Sequence, residues 1–352
     1  ATPSIATVFN GLRQDAQILE RLLWTSGGLL ALDKCEYYLI YWQFDAAGHG
    51  TLMSKADLQL PVLNLTQGDT GILEPVNQLD LHDSFKTLGI HKTISGNQTQ
   101  QIKEMKKKSD AYARGILSVS VTNFEAWTGL FTIWYSQLNY PLAATSLTET
   151  SCQKIQMKAI NASLSKCGFS RKTARSVVFG SPWYGGLGWR YLYFEQGILH
   201  TLSLIKHLRT PGPFHSLLLV SLDWYQLIAG VSFSPFRHPN LPLPYLDHAW
   251  FDCTIKFLRH CHAHLEIPST LLPQPNRQHD KCIMETFIGL ELPPKTLKQL
   301  NYCRLWLKVT QLSDICTLAG DSIDRTAWLG LAPMPSSTAD WPVQPRPHDR
   351  MW

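Results

Sequence analysis

Two groups of residues have the types and spacing for chemistry. From Cys152 to Arg209 lie nine bases (Lys154, Lys158, Lys166, Arg171, Lys172, Arg175, Arg190, Lys206, Arg209) and one acid, Glu195, so this stretch carries 9 − 1 = +8. The whole chain carries +5, which leaves −3 for the remainder. Such a local excess is an electrostatic footprint for a polyanion, the plainer alternative being a solvated helix face. Lys154 and Lys158 are four apart, so a helix sets both on one face. The second group is Phe85-Lys86-Thr87-Leu88-Gly89-Ile90. Lys86 would neutralise a phosphate, and Gly89 inside a strand would leave room for another backbone to approach. A bulge in a plain hairpin is the alternative.

Other constellations are weaker. His260-Cys261-His262 with His264 and Cys253 matches no common zinc-finger spacing. Gly185-Gly186-Leu187-Gly188 is followed neither by Gly-Lys-Ser/Thr nor by an acid about 20 residues on in a strand, so a tight turn is expected rather than a nucleotide loop. No serine or histidine sits in a nucleophile-elbow context. There is no Asp-Asp dipeptide, so paired carboxylates for two magnesium ions are missing in their usual form.

The elements that would position these residues follow from periodicity. Val8 to Thr25 repeats apolar residues at helical spacing and ends at Gly27-Gly28. Cys35 to Phe44 is rich in Tyr, Ile and Trp and is expected as a strand, with a turn at 45–50 and a return strand at Leu52-Met53. Leu60 to Asp80 is expected as a loop or decorated hairpin, and Phe85 to Ile94 as a second strand. From Asn97 the character turns helical. Gln98–Leu117 carries Lys103, Lys106, Lys107 and Lys108 off its apolar face, and Asn123–Asn139 is aromatic. Ser146-x-x-Glu149 resembles a capping box for Cys152–Lys166, with Gly168 at the C-terminal cap. Arg190–Arg209 and Ser216–Ile228 complete the helices. Pro235–Pro244 is the clearest linker, Pro268–Pro275 a weaker one, and the tail after Pro333 is expected to lack a core.

The order of these features carries a resemblance. Gly27-Gly28, the Lys34-Cys35 strand, Lys86-Thr87-Leu88-Gly89-Ile90, the Lys-rich helix, the aromatic helix and Gly185-Gly186-Leu187-Gly188 together resemble the end of the palm, the thumb and the connection of a reverse transcriptase of the non-LTR retrotransposon type. The resemblance runs from about Val8 to Arg209. Cys303-Arg304-Leu305 and Leu312-Ser313-Asp314-Ile315 look like the tail of related polyproteins. It implies an α+β fold with short antiparallel palm strands at the N-terminus, then a mainly α-helical thumb and connection, then a Pro-rich C-terminal part. The implied divisions are 1–96, 97–234, 245–332 and a tail over 333–352. Gly89 and Lys86 become a primer grip, and Lys34 a general acid for the pyrophosphate leaving group; otherwise Lys34 is an exposed residue flanking a strand. Lys103, Lys106, Lys107, Lys154, Lys158, Arg171, Lys172 and Arg175 become contacts to nucleic acid. The implied partners are an RNA template with a DNA or RNA primer, and an upstream palm and fingers segment. Magnesium is expected only in the complete polymerase. A helical protein-interaction module without a nucleic-acid role is the alternative.

Composition is compatible with this. Of 352 residues 44% are hydrophobic and 17% charged, which suits folded units and not a disordered chain. Eight scattered cysteines indicate reduced thiols, and no N-terminal charged-then-apolar signal is visible, so an intracellular site is expected. Leu217 to Phe233 is the longest apolar stretch, but Asp223 and Gln226 interrupt it, which argues against a membrane span.

Overall fold

A computed structural model describes residues 4–46, 50–267, 277–331 and 347. The fold is α+β, with short strands at the N-terminus and helices after them. Two compact units divide it, residues 1–100 and 101–352. The tail over 333–352 and Pro268–Pro275 fall almost wholly outside the described residues. Among the described residues no helix is long and apolar enough to cross a membrane.

In the first unit, helix α1 (Ile5–Thr25) starts where the Ser4 hydroxyl accepts from the Thr7 amide, 3.2 Å away. Its face bearing Phe9, Leu12 and Ala16 packs on Leu32, Tyr37, Leu63, Leu65 and Val76. Two polar side chains fix the helix to the sheet. The Gln17 amide acts as a strand edge towards Thr66, donating to its carbonyl (3.0 Å) and accepting from its N–H (2.8 Å). Glu20, fully buried, accepts from the Gly68 N–H at 2.7 Å.

Among the described residues seven short strands follow: β1 (Glu36–Tyr37), β2 (Trp42–Phe44), β3 (Gly50–Leu52), β4 (Leu63–Thr66), β5 (Leu73–Gln78), β6 (Phe85–Thr87) and β7 (Ile90–Lys92); the one-turn helix α2 (Lys55–Leu58) sits between β3 and β4. They form three separate small sheets, with β2–β3, β4–β5 and β6–β7 antiparallel and β1 alongside β5 in parallel. The single strand expected over Cys35–Phe44 is therefore two, each joining a different sheet. Phe85–Ile94 is likewise a hairpin: Lys86 pairs with His91, and Leu88-Gly89 is the turn between β6 and β7. Leu88 (φ 49°) and Gly89 (φ 86°) are both left-handed, as a two-residue hairpin turn of right-handed twist requires, and glycine supplies the second of these without strain. Gly89 is at the tip, not inside a strand.

The second unit opens with α3 (Thr99–Ser118), α4 (Asn123–Gly129), a six-residue π-helical segment (Leu130–Tyr135), α5 (Ser136–Ala143) and α6 (Glu149–Lys166). The cap of α6 is Thr148, whose hydroxyl accepts from the Ser151 N–H, so the box expected at Ser146 lies two residues too early. Then come α7 (Arg175–Phe179), a 3₁₀ turn (Pro182–Tyr184), α8 (Leu192–Arg209), α9 (Pro213–Ala229), α10 (Trp250–His260), α11 (Ile283–Gly289), α12 (Pro294–Leu307) and α13 (Arg325–Trp328). The main core gathers Met105, Leu130, Trp134, Tyr135, Leu138, Ile155, Ile160 and Leu192, all buried. Each such side chain contributes about 1.5–3 kcal/mol by leaving water. Trp134 also satisfies its indole N–H on the Ser109 hydroxyl (3.0 Å), and that hydroxyl donates to the Ile155 carbonyl (2.7 Å).

Pro235–Pro244 does not behave as a linker. Phe236 is 2% exposed in a core with Leu204, Ile255 and Leu258, its carbonyl accepts from the Leu265 N–H, and the Arg259 guanidinium donates to the Pro239 carbonyl. The four prolines give a fixed irregular path, whose carbonyls are taken up by neighbours.

Candidate nucleic-acid interface

Helices α3 and α6 run in the same direction. Their contacts climb together: Ser109 to Ile155, Asp110 to Lys158 (3.0 Å), Tyr112 to Ser163 (3.2 Å), and finally Val119 to Lys166 (2.6 Å). Between them lies a groove of ≈ 340 Å³ bordered by Asp110, Arg114, Leu117, Lys158, Asn161 and Arg171. At about 100° per residue, Lys103, Lys106 and Lys107 fall within about 60° of Asp110 around α3. Lys108 faces the other way. On α6, Lys154 lies one turn before Lys158 on the same face. Lys103, Lys106, Lys107, Arg114, Lys154, Lys158 and Arg171 are all exposed. From Lys103 to Leu117 the basic face spans about 21 Å.

The remaining sequence-derived bases divide. Lys172 is exposed in the turn after α6, outside the groove-lining set. Arg175 donates through Nη2 to the Asn161 side-chain oxygen (2.5 Å) and borders a different cleft. Arg190 is tied to Glu195 (3.4 Å) and lies over the Phe131 and Tyr135 rings, while Lys166 donates to a backbone carbonyl. The +8 stretch is thus not one surface. Its groove portion is Lys158 and Arg171, with Lys154 one turn earlier on the same face of α6, completed by α3. Lys34, Lys86 and Gly89 belong to the first unit, all exposed, with Lys34 closing a 3₁₀ turn (Leu32–Lys34) before β1.

The Gly-rich segment forms a turn as expected. A Cβ on Gly186 would lie 2.1 Å from the Gly180 carbonyl oxygen, so the two backbones meet at a distance that glycine alone allows.

The structure also assembles a triad-like set that motif spacing did not reveal. His248 Nδ1 lies 3.0 Å from Asp252 Oδ2, and Nε2 lies 3.3 Å from Cys253 Sγ and 3.0 Å from the Ser146 carbonyl. The legible signal was a histidine just ahead of α10 with an acid four residues on. The hydrogen bond it donates to Asp252, then its contact with Cys253, pushes the imidazole up to about 10. Cys253 is only 2% exposed, however, and its thiol abuts the Leu147 carbonyl (3.8 Å). An enclosed sulfur of this kind does not meet a substrate. The set pins α10 to the 143–148 turn, together with Trp250 Nε1 donating to the Ala143 carbonyl at 3.1 Å.

Among the described residues no three His, Cys, Asp or Glu side chains come together to hold a metal ion. No protein-family model, curated protein or solved structure matches this chain.

Proposed function

We propose that this chain binds duplex nucleic acid along the α3–α6 groove, as the thumb-side part of a reverse-transcriptase-like polymerase whose catalytic carboxylates it does not itself carry. The observation that supports this is the parallel pairing of α3 and α6, which lines up seven bases (Lys103, Lys106, Lys107, Arg114, Lys154, Lys158, Arg171) against one acid, Asp110. Two parallel basic ridges follow a phosphate backbone without reading its sequence, giving salt-sensitive affinity.

If about four phosphates are neutralised, log affinity for an RNA·DNA hybrid falls with log salt at a slope of roughly −3 to −4. Changing Lys103, Lys107, Lys154 and Arg171 to Gln brings that slope close to zero. A slope that stays put in the quadruple variant sends the contact elsewhere. Primer extension by the pure chain, with magnesium or manganese, stays at background; sustained nucleotide incorporation would contradict the absence of an aspartate pair.

One observation favours the alternative, a helical protein-interaction module. Helix α9 leaves Phe214, Leu217 and Val220 at least 65% exposed along one stripe, with Trp224 continuing it. The two readings part on the hybrid titration: an interaction module shows no salt-dependent binding to any duplex.

A further inference from the structure

Beside the groove is a second cleft, of ≈ 890 Å³, walled by α6, by α7 with the Gly-rich turn, and by the start of α8. Its volume lies in the range typical of sites for small organic ligands. One wall is aromatic: Phe179, Tyr191 and Phe194 stand in sequence, ring centroids 5.1 and 5.6 Å apart. The polar groups are mostly engaged. Tyr191 donates its hydroxyl to Glu149 (2.9 Å) and accepts from the Gln153 amide (2.9 Å), and Arg190 is held by Glu195. Arg175 differs. Its Nη2 bonds to Asn161, but Nη1 is enclosed and has no hydrogen-bond partner among the described residues. An enclosed guanidinium nitrogen without a partner is costly, and an incoming anion removes that cost. Asn161 at the same time borders the α3–α6 groove, so the Arg175–Asn161 pair is the partition between groove and cleft.

At the rim, Trp183 and Tyr184 on the 3₁₀ turn are 93% and 92% exposed. Large aromatic groups held in water on a turn this tightly built invite stacking.

We propose that the cleft receives one unpaired nucleotide of a strand lying in the α3–α6 groove, its base against Tyr191 and Phe179, its phosphate on the Arg175 guanidinium, which turns Nη1 to meet it, and the adjoining base on Trp183. Glu149 and Gln153 then face the edge of the base. This rests on the duplex-binding function proposed above, and the test separates the two.

Fluorescence anisotropy compares a blunt RNA·DNA hybrid with the same hybrid carrying a one-nucleotide 3′ overhang, and calorimetry titrates AMP alone. The overhang is expected to bind about 10-fold tighter, the usual worth of one base stacked on an aromatic ring. Trp183→Ala, at a side chain too exposed to support the fold, removes most of that preference and leaves the blunt hybrid unchanged. AMP binds the native chain, and Arg175→Gln abolishes its heat. Equal affinity for both hybrids together with no AMP heat overturns the cleft assignment while the groove stands. AMP heat without binding of either hybrid overturns the groove and keeps the cleft's taste for a nucleotide.

Discussion

Arg304→Met is expected to cost the second unit about 4 kcal/mol or more. Arg304 is 1% exposed and spends its guanidinium on four oxygen atoms: the Leu227 (2.7 Å) and Ile228 (3.2 Å) carbonyls in the last turn of α9, the Val309 carbonyl beyond α12 (3.3 Å), and the Asn301 side chain (3.0 Å); of these the Ile228 carbonyl also accepts from the Asn301 amide (3.1 Å). Burial draws its pKa down to about 10, still well above neutrality, so the cation faces the negative end of the α9 dipole. Methionine fills comparable volume but donates nothing. The Ile228 carbonyl keeps the Asn301 amide, but the Leu227 and Val309 carbonyls lose the guanidinium, and at about 1–3 kcal/mol each they account for about that total. Hydrogen exchange of the α9 and α12 amides measures it. Arg304→Lys, keeping the charge but not the fork of donors, should fall between. A loss under about 1 kcal/mol in the methionine variant would mean that apolar packing replaces the guanidinium, as happens for some buried ionic groups.

What was legible in the sequence divides by range of interaction. Helices set by a long apolar stripe were readable to within a few residues: α1, α3 and the aromatic α4–α5 run all fall where periodicity placed them, because the 3.6-residue repeat is written locally. The strands were not. Only two to six residues long, they owe their limits to partners far along the chain, such as Tyr37 beside Gln78. Gly89 shows the same limit: a glycine between β-prone residues fits both a strand and a tip, and the pairing of Lys86 with His91 decides for the tip. Charge counting found the basic stretch but overstated its unity. Lys166 and Arg190 are consumed by a carbonyl and by Glu195, facts that depend on partners the spacing does not specify. The Pro235–Pro244 path was mistaken for a linker because composition records breakers and not the carbonyls that Arg259 and Leu265 take up. The His248–Asp252–Cys253 set escaped because its third contact, the Ser146 carbonyl, lies 102 residues away.

Two histidines, His200 buried and His248 partly in water, should give stability a maximum near pH 6.5, with limbs of opposite origin. His200 is fully enclosed, its ring centroid 4.5 Å from that of Trp250 and tilted by 31°, and burial pushes it down from 6.5 to about 4. Below pH 6.5 the unfolded chain takes up a proton that the folded one refuses. Its contribution is complete above pH 6.5 and lost as pH falls towards 4, by roughly 3 kcal/mol in all. His248 runs the other way. Held up at about 10 by Asp252, it keeps its proton in the folded state, so its contribution is complete below pH 6.5 and drains away as pH climbs towards 10. With a third of its side chain in water, and Lys256 sharing Asp252 at 2.7 Å, the alkaline limb is the shallower. Urea midpoints taken from pH 4 to 10 test both. His200→Gln, which cannot take a proton, should flatten the limb between pH 6.5 and 5, before the carboxylates dominate; His248→Gln should flatten only the alkaline one. An acid limb unchanged in His200→Gln would mean that the imidazole finds water in the folded state. The contact with Trp250 would then not be closed to water.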